Sequence, residues 1–293
     1  MNWKQTIAGL VLGMGMALPG VASGQTLTVL RTVDSFSYDP QRATAAAASE
    51  IAFLLGDTLV ALDFDMKTIK PLLAKSWTVS PDGKTYTFEL RDDVSFCSGK
   101  KMTSEDVVYT FNRMLDTENK KPSAQKMGKM KSITAAGPTR IVYELNEPYN
   151  ELLYTLTLMH GTILNKENVD ALGKDFGIKG VDGTGPFCWE SWTPRTEMTL
   201  KRHAAYKWGP PIYANKGPAK VEKIVWKMVP EDASRMAAVM SGQGDLTYAV
   251  PLWSVAELKK APNVAITAPA NYFRTCFIGN KITRDLMKDI EVR

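Results

Sequence analysis

Residues 71–111 read PLLAKSWTVSPDGKTYTFELRDDVSFCSGKKMTSEDVVYTF. Ser76 to Val79 alternate apolar and polar side chains, Ser80-Pro81-Asp82-Gly83 breaks the run, and Lys84 to Arg91 alternate again. Asp-Gly between two alternating runs predicts a β-hairpin. Asp92 to Phe96 read as a further short strand, and Ser98-Gly99 turns the chain. Thr103 then stands three residues before Asp106, with Glu105 and Asp106 in the first turn of an apolar pattern through Val107, Val108, Phe111 and Met114. That spacing predicts a helix with a capping box in which Asp replaces the usual Glu or Gln, and negative charge suits a helix N-terminus. The stretch is a strand, a turn and a capped helix. It carries no group poised for catalysis.

On its N-terminal side, Gln25 to Thr32 alternate as a strand, and Tyr38-Asp39-Pro40 makes a turn. The alanine run then leads to Ile51, Leu54, Leu55 and Leu59 on one helix face. On its C-terminal side, a second hairpin spans Ile133 to Leu145 about Gly137-Pro138, and Asn150 to Leu158 read as an amphipathic helix. Gly173 to Gly185 are loop-rich. A third hairpin spans Phe187 to Tyr206, broken at Thr193-Pro194. Val221 to Val229 are a strand, Pro230 to Met240 a helix closed by Ser241 to Asp245, and Leu246 to Val250 a short buried strand. Val255 to Lys260 read as a helix, Ala265 to Ala268 and Phe273 to Gly279 as strands. Strands and helices mixed in this order predict an α/β protein with mixed sheets.

The chain opens MNWKQTIAGLVLGMGMALPGVASG: one lysine, an apolar stretch from Ile7 to Leu18, and small residues before Gln25. This is the pattern of a cleaved secretory signal peptide over residues 1–24, and the apolar stretch falls short of the ~20 residues a membrane span requires. An exported, periplasmic protein is expected. The charged fraction is 23% and the formal charge +5. The basic residues are scattered, which argues against nucleic acid as a partner. Three cysteines, Cys97, Cys188 and Cys276, enter an oxidising compartment where two of them can pair; sequence alone does not say which.

Enzyme motifs are absent: no G-x-S-x-G, no P-loop, no HExxH. The carboxylate pairs Asp63/Asp65, Glu105/Asp106 and Glu231/Asp232 fit caps and turns. The two histidines, His160 and His203, lack a second His at i+4, so no metal site and no cofactor are expected, and a hydrogen-bonded structural or surface role is the simpler reading. No catalytic residue is assigned. The aromatic residues Trp189, Trp192, Tyr206, Trp208, Tyr248 and Trp253 are read as core, with some lining a cleft for a small ligand.

Four stretches carry a resemblance: residues 71–111, GTGPFCWESWTP (Gly183–Pro194), MTLKRHAAYKWG (Met198–Gly209) and SGQGDL (Ser241–Leu246). Together they resemble the family-5 solute-binding proteins of ABC importers, the cluster with oligopeptide-, dipeptide- and nickel-binding members. The resemblance runs from about Thr26 to Arg293. It implies a two-lobed, type II periplasmic-binding-protein-like fold with an extra β-rich subdomain. The first lobe would be residues 25–62 and 180–270, the inserted subdomain 63–179, and 271–293 a crossover toward a second lobe most of which would follow Arg293.

The resemblance further implies a non-enzymatic, monomeric receptor that captures a small solute, peptide-like first, and hands it to the membrane subunits of an ABC permease. Opines, sugars or a chelated metal are alternative solutes; a secreted hydrolase, or a chaperone or adhesion protein, is the alternative class. The first-lobe ligand wall would comprise Thr44, Ala45 and Ala46, then Tyr248, Ala249 and Val250, with Arg274 near the hinge; an ordinary helix start competes for Thr44 to Ala46, and a hinge salt bridge for Arg274. Where this chain has Cys97, Phe187 and Cys188, relatives often carry histidine, tyrosine and a residue other than cysteine. Two unusual cysteines at motif positions imply a Cys97–Cys188 disulfide tying the subdomain to the first lobe; two separate buried thiols are the alternative.

Overall fold

A computed structural model describes residues 25–115 and 127–267. The predicted signal peptide, most of the polar stretch from Lys120 to Gly128, and Ala268, Phe273 to Gly279, Arg274 and Cys276 lie outside the described residues. In chain order the elements are β1 (Thr26–Arg31), α1 (Ala46–Leu55), β2 (Val60–Leu62), β3 (Ile69–Pro71), β4 (Ala74–Val79), β5 (Thr85–Leu90), α2 (Ser104–Leu115), β6 (Met130–Ala135), β7 (Arg140–Leu145), α3 (Leu152–Thr155), α4 (Lys166–Leu172), β8 (Phe187–Thr193), β9 (Glu197–Arg202), β10 (Lys223–Met228), α5 (Asp232–Met240), β11 (Leu246–Thr247) and α6 (Val255–Leu258). One compact unit runs through Val250 and a second begins at Pro251, whose described part is a 3-10 turn followed by α6.

Two sheets organise the first unit. A five-stranded sheet in the order β11-β1-β10-β9-β8 is mixed: β1 pairs in parallel with both β10 and β11, whereas β10, β9 and β8 are antiparallel. A four-stranded antiparallel sheet has the order β4-β5-β7-β6, and β2 and β3 form a separate ribbon. The four-stranded sheet and its ribbon arise wholly from residues 60–145, and the five-stranded sheet wholly from residues outside that span.

Local chemistry explains the predicted joints. The Ser80–Gly83 turn holds Gly83 at φ 68°, and Ser80 N donates to Thr85 O at 2.9 Å. The amide of Thr103 donates to Asp106 Oδ2 at 3.0 Å, the back-reaching half of a capping box, and Lys100 Nζ lies 2.5 Å from Asp106 Oδ1. Val107, Phe111 and Met114 are buried on the four-stranded sheet with Phe88, Ile141 and Tyr143. α1 buries Ala48, Ile51 and Leu55 against Val29, Met198 and Trp226 of the five-stranded sheet.

Some expectations give way. Asp92 to Phe96 form no strand, only an isolated bridge between Ser95 and Lys101. The helix expected over Asn150 to Leu158 is one turn long, because the Thr155 and Thr157 hydroxyls bond back to the Leu152 and Tyr154 carbonyls and tighten the chain into a 3-10 turn at Met159–Gly161. α1 ends at Gly56, so Leu59 is buried from a turn beyond it rather than from its face. The strand expected over Leu246 to Val250 is only two residues, lies at the sheet edge and leaves Leu246 exposed; Ala265 to Thr267 are not in a strand. α4 lies in a stretch for which no element was predicted.

Candidate ligand cavity

A concavity of about 710 Å3 opens between α1, the β2–β3 ribbon, the chain from Tyr206 to Tyr213 and the segment after β11. Small-molecule sites span roughly 300–1,000 Å3. Its apolar wall includes Phe53, Leu62, Leu158, Ile212 and Trp226. Met66 of the ribbon turn adds to it with φ 58°, a left-handed conformation uncommon for a residue with a side chain. The polar groups are few, and two of them are acidic: Glu50 and Asp57.

Asp57 follows the end of α1 and is fully enclosed. Trp208 Nε1 donates to its Oδ2 at 2.9 Å, Tyr206 OH to Oδ1 at 3.3 Å and Thr184 Oγ to Oδ2 at 3.3 Å. Burial pushes this carboxyl up to about 7, against the pull of those three donors. The G-T-G of the third-hairpin motif creates the niche. A Cβ on Gly183 would lie 1.9 Å from Leu55 O, and one on Gly185 2.4 Å from Leu54 O. Only glycine lets this loop approach the end of α1 closely enough for Gly185 N to bond Leu55 O at 2.9 Å and for Thr184 to reach Asp57.

Glu50 is half-exposed and pairs at 3.2 Å with Arg31, which is buried at the end of β1 and also donates to Ala47 O at 2.7 Å. Burial raises the Glu50 carboxyl above its ordinary range, with Arg31 opposing.

Of the residues named from sequence, Tyr248 lines the cavity; Thr44, Ala45 and Ala46 are exposed at the start of α1 and do not. Ala249 contributes its carbonyl to a neighbour rather than facing the cavity. That neighbour is Arg235, 1% exposed on α5, which donates to Ala249 O at 2.8 and 3.2 Å, to Val229 O at 3.0 Å, to Pro230 O at 3.2 Å and also to Asp232. Arg235 thus fixes the segment that presents Tyr248. Sequence reasoning missed it because one arginine within an amphipathic helix looks like a solvated face. Asp245 of the SGQGDL motif completes the anchoring: its carboxylate accepts from Thr28 N at 2.7 Å, and its amide donates to Thr28 O at 2.8 Å.

The cysteines named from sequence adjoin this region. Cys97 and Cys188 form a disulfide with Cα atoms 5.7 Å apart, and His203 lies beside them. Among the described residues this is the one trio spaced for a metal, yet both sulfurs are consumed by the bond and His203 Nδ1 lies 2.9 Å from Gly185 O. His160 Nδ1 likewise lies 2.7 Å from Pro40 O. Both histidines are buried and hydrogen-bonded.

The profile of bacterial extracellular solute-binding proteins, family 5 (Middle), matches residues 68–293. The chain belongs to this family. The chain is 27% identical to the glutathione-binding protein GsiB of Escherichia coli O1:K1, over 98% of this chain and 54% of GsiB. It is similar in structure to the Helicobacter pylori periplasmic binding protein DppA, solved with the peptide STSA, at TM-score 0.72 and 30% identity over 82% of this chain and 49% of DppA. It is also similar to AgaA of A. tumefaciens R10, solved with agropinic acid, at TM-score 0.71 and 25% identity over 81% and 46%. The chain spans about half the length of these relatives. Its fold is that of type II periplasmic binding proteins. Family-5 proteins are binding proteins rather than enzymes, and the compartment is the periplasm.

Proposed function

We propose that this chain belongs to the substrate-binding component of an ABC importer, which captures a peptide or related small solute and delivers it to a membrane permease. The observation that carries the reading is the concavity of about 710 Å3 in a family-5 fold, walled by apolar and aromatic side chains with few polar groups. Its size suits a solute of peptide-fragment dimensions. Tyr248 at its edge, held through Arg235 and Asp245, offers a fixed aromatic wall. A second lobe closing over this face would trap the solute, because the closed state alone contacts it from both sides. A micromolar solute corresponds to about −8 kcal/mol, shared between the lobes. The receptor acts as a monomer, and its protein partners are the permease subunits.

The test is mass spectrometry of what co-purifies with the periplasmically expressed protein, followed by titration calorimetry with the compound found and its uptake in cells with and without the cognate permease. A peptide or other small solute whose uptake requires both proteins is the expected result. Turnover of the bound compound, or uptake independent of the chain, would overturn the reading.

A further inference from the structure

We propose that Cys97, Cys188 and His203 become a metal site when their disulfide is opened, holding one borderline-soft divalent cation such as zinc. None of the three lines the cavity, so the inference does not depend on the importer reading.

The fold brings the three residues together from separate places. Cys97 lies in the turn before α2, Cys188 is the second residue of β8, and His203 directly follows β9. Both sulfurs and a ring nitrogen of His203 lie within 4.8 Å of one another. Thiolates and imidazole are the donors zinc prefers, at ~2.3 Å and ~2.0 Å, which sets tetrahedral ligand atoms roughly 3.5–3.8 Å apart. Once unbonded, the sulfurs widen to that span by turning about their Cα–Cβ bonds. The Cα separation of 5.7 Å accommodates two sulfurs on one metal.

The trio does not rely on the sulfur–sulfur bond for its assembly. The Cys97 amide donates to Gly183 O at 2.9 Å, and the Ser98 amide to Asp182 Oδ1 at 2.9 Å. Cys188 is paired with Lys201 in the β8–β9 ladder, and the His203 amide donates to Pro186 O at 2.9 Å. These bonds survive reduction, so the ligands stay together.

His203 is also oriented as a ligand. Its Nδ1 lies 2.9 Å from Gly185 O, and a carbonyl only accepts, so Nδ1 carries the proton. In the neutral ring Nε2 then keeps the lone pair a metal requires. An imidazole that donates its other N–H to a backbone carbonyl is the usual arrangement at metal centres. The ring is further fixed edge-on against Trp208, with centroids 5.5 Å apart.

The redox step calls for a dithiol reductant. One of its thiolates attacks a protein sulfur, its second thiol closes its own disulfide, and two electrons and two protons pass to Cys97 and Cys188. Binding the cation releases those two protons. Two thiolates and a neutral imidazole around a divalent ion carry no net charge, which suits a site where Cys188 and His203 are buried. Cys97 is partly exposed and opens the way for reductant, metal and a fourth, water ligand.

The test uses the exported chain carrying Cys276→Ser, so that only two thiols remain. It is reduced with dithiothreitol, freed of reductant without air, and titrated with Co2+ and then Zn2+. The reduced chain should bind one Co2+ with thiolate-to-cobalt charge-transfer absorption and the visible bands of a four-coordinate ion, and Zn2+ should displace it. The unreduced chain should show neither. Zn2+ should raise the melting temperature of the reduced chain and leave that of the oxidised chain unchanged. His203→Gln, with its circular dichroism checked first, should weaken Co2+ binding by at least ~10-fold. Cys97→Ser, at a partly exposed position, should do the same. A reduced chain without the charge-transfer band, equal binding by the unreduced chain, or a folded His203→Gln variant that binds as tightly as its parent would each overturn the proposal.

Discussion

Arg113 on α2 grips both carboxylate oxygens of Asp39, with Nη2 to Oδ2 at 2.7 Å and Nη1 to Oδ1 at 3.1 Å, across 74 residues of chain. The same guanidinium lies 5.3 Å from the Phe176 ring and donates to Gln41 Oε1 at 2.8 Å. Asp39 is 1% exposed and Arg113 12%. The pair joins the helix of the four-stranded sheet to the turn leading into α1. Removing Arg113 leaves Asp39 buried without its two short charge-assisted bonds, while Arg42 Nε stands 3.8 Å away and is half-exposed. Arg113→Met should lower stability by about 3 kcal/mol, read from urea midpoints, and the double variant with Asp39→Asn should recover part of that loss. A cost under about 0.5 kcal/mol would show the pair to be energetically idle.

The Cys97–Cys188 bond closes a 91-residue separation and staples the turn before α2 to the first residues of β8. In the chain-entropy account such a loop contributes ~4 kcal/mol. Alkylation of the exported, unreduced protein should modify one cysteine, Cys276, and alkylation after reduction all three. Thermal unfolding should shift down on reduction or in Cys97→Ser/Cys188→Ser. Three modified cysteines without reductant would show that the bond does not form.

Asp57 gives the protein a pH signature. Its folded carboxyl titrates at about 7, above its ordinary 3.8, so the protonated form belongs to the folded state. The stabilisation is fully present below about pH 4 and is lost as pH rises toward 7 and beyond. Between pH 8 and pH 5 this one group should add on the order of 2 kcal/mol of stability. Asp57→Asn should flatten that part of the profile in denaturant titrations. An unchanged slope in the variant would assign the pH dependence elsewhere.

Arg235 tests whether Tyr248 depends on a positioning residue. Arg235→Lys keeps the charge but cannot reproduce the fork that reaches Ala249, Val229 and Pro230. Solute affinity should fall by roughly 10-fold, about 1.4 kcal/mol, and Tyr248→Ala in that background should cost less than in the parent chain. Additive losses in calorimetry would mean that Arg235 does not act through Tyr248.

The hairpin over residues 76–91 and the capped helix after Thr103 were legible because their causes lie within a few residues: a period of two, an Asp-Gly turn, a cap three positions from its partner. The family was legible because several such motifs recur together. The short edge strand at Leu246 and the single turn of α3 were misjudged in length, since edge position and back-bonding hydroxyls override apolar pattern.

The order of residues along the chain is enough to establish the alternation of elements, their turns and caps, and the kinship they spell. Packing in three dimensions settles which distant groups meet: Asp57 with Trp208, Arg235 with Ala249, two glycines pressed against the end of α1. Hydrogen-bond chemistry along the chain is local and leaves a periodic trace. A buried carboxyl or guanidinium takes its partners from whatever packing brings near, and no spacing in the chain records that.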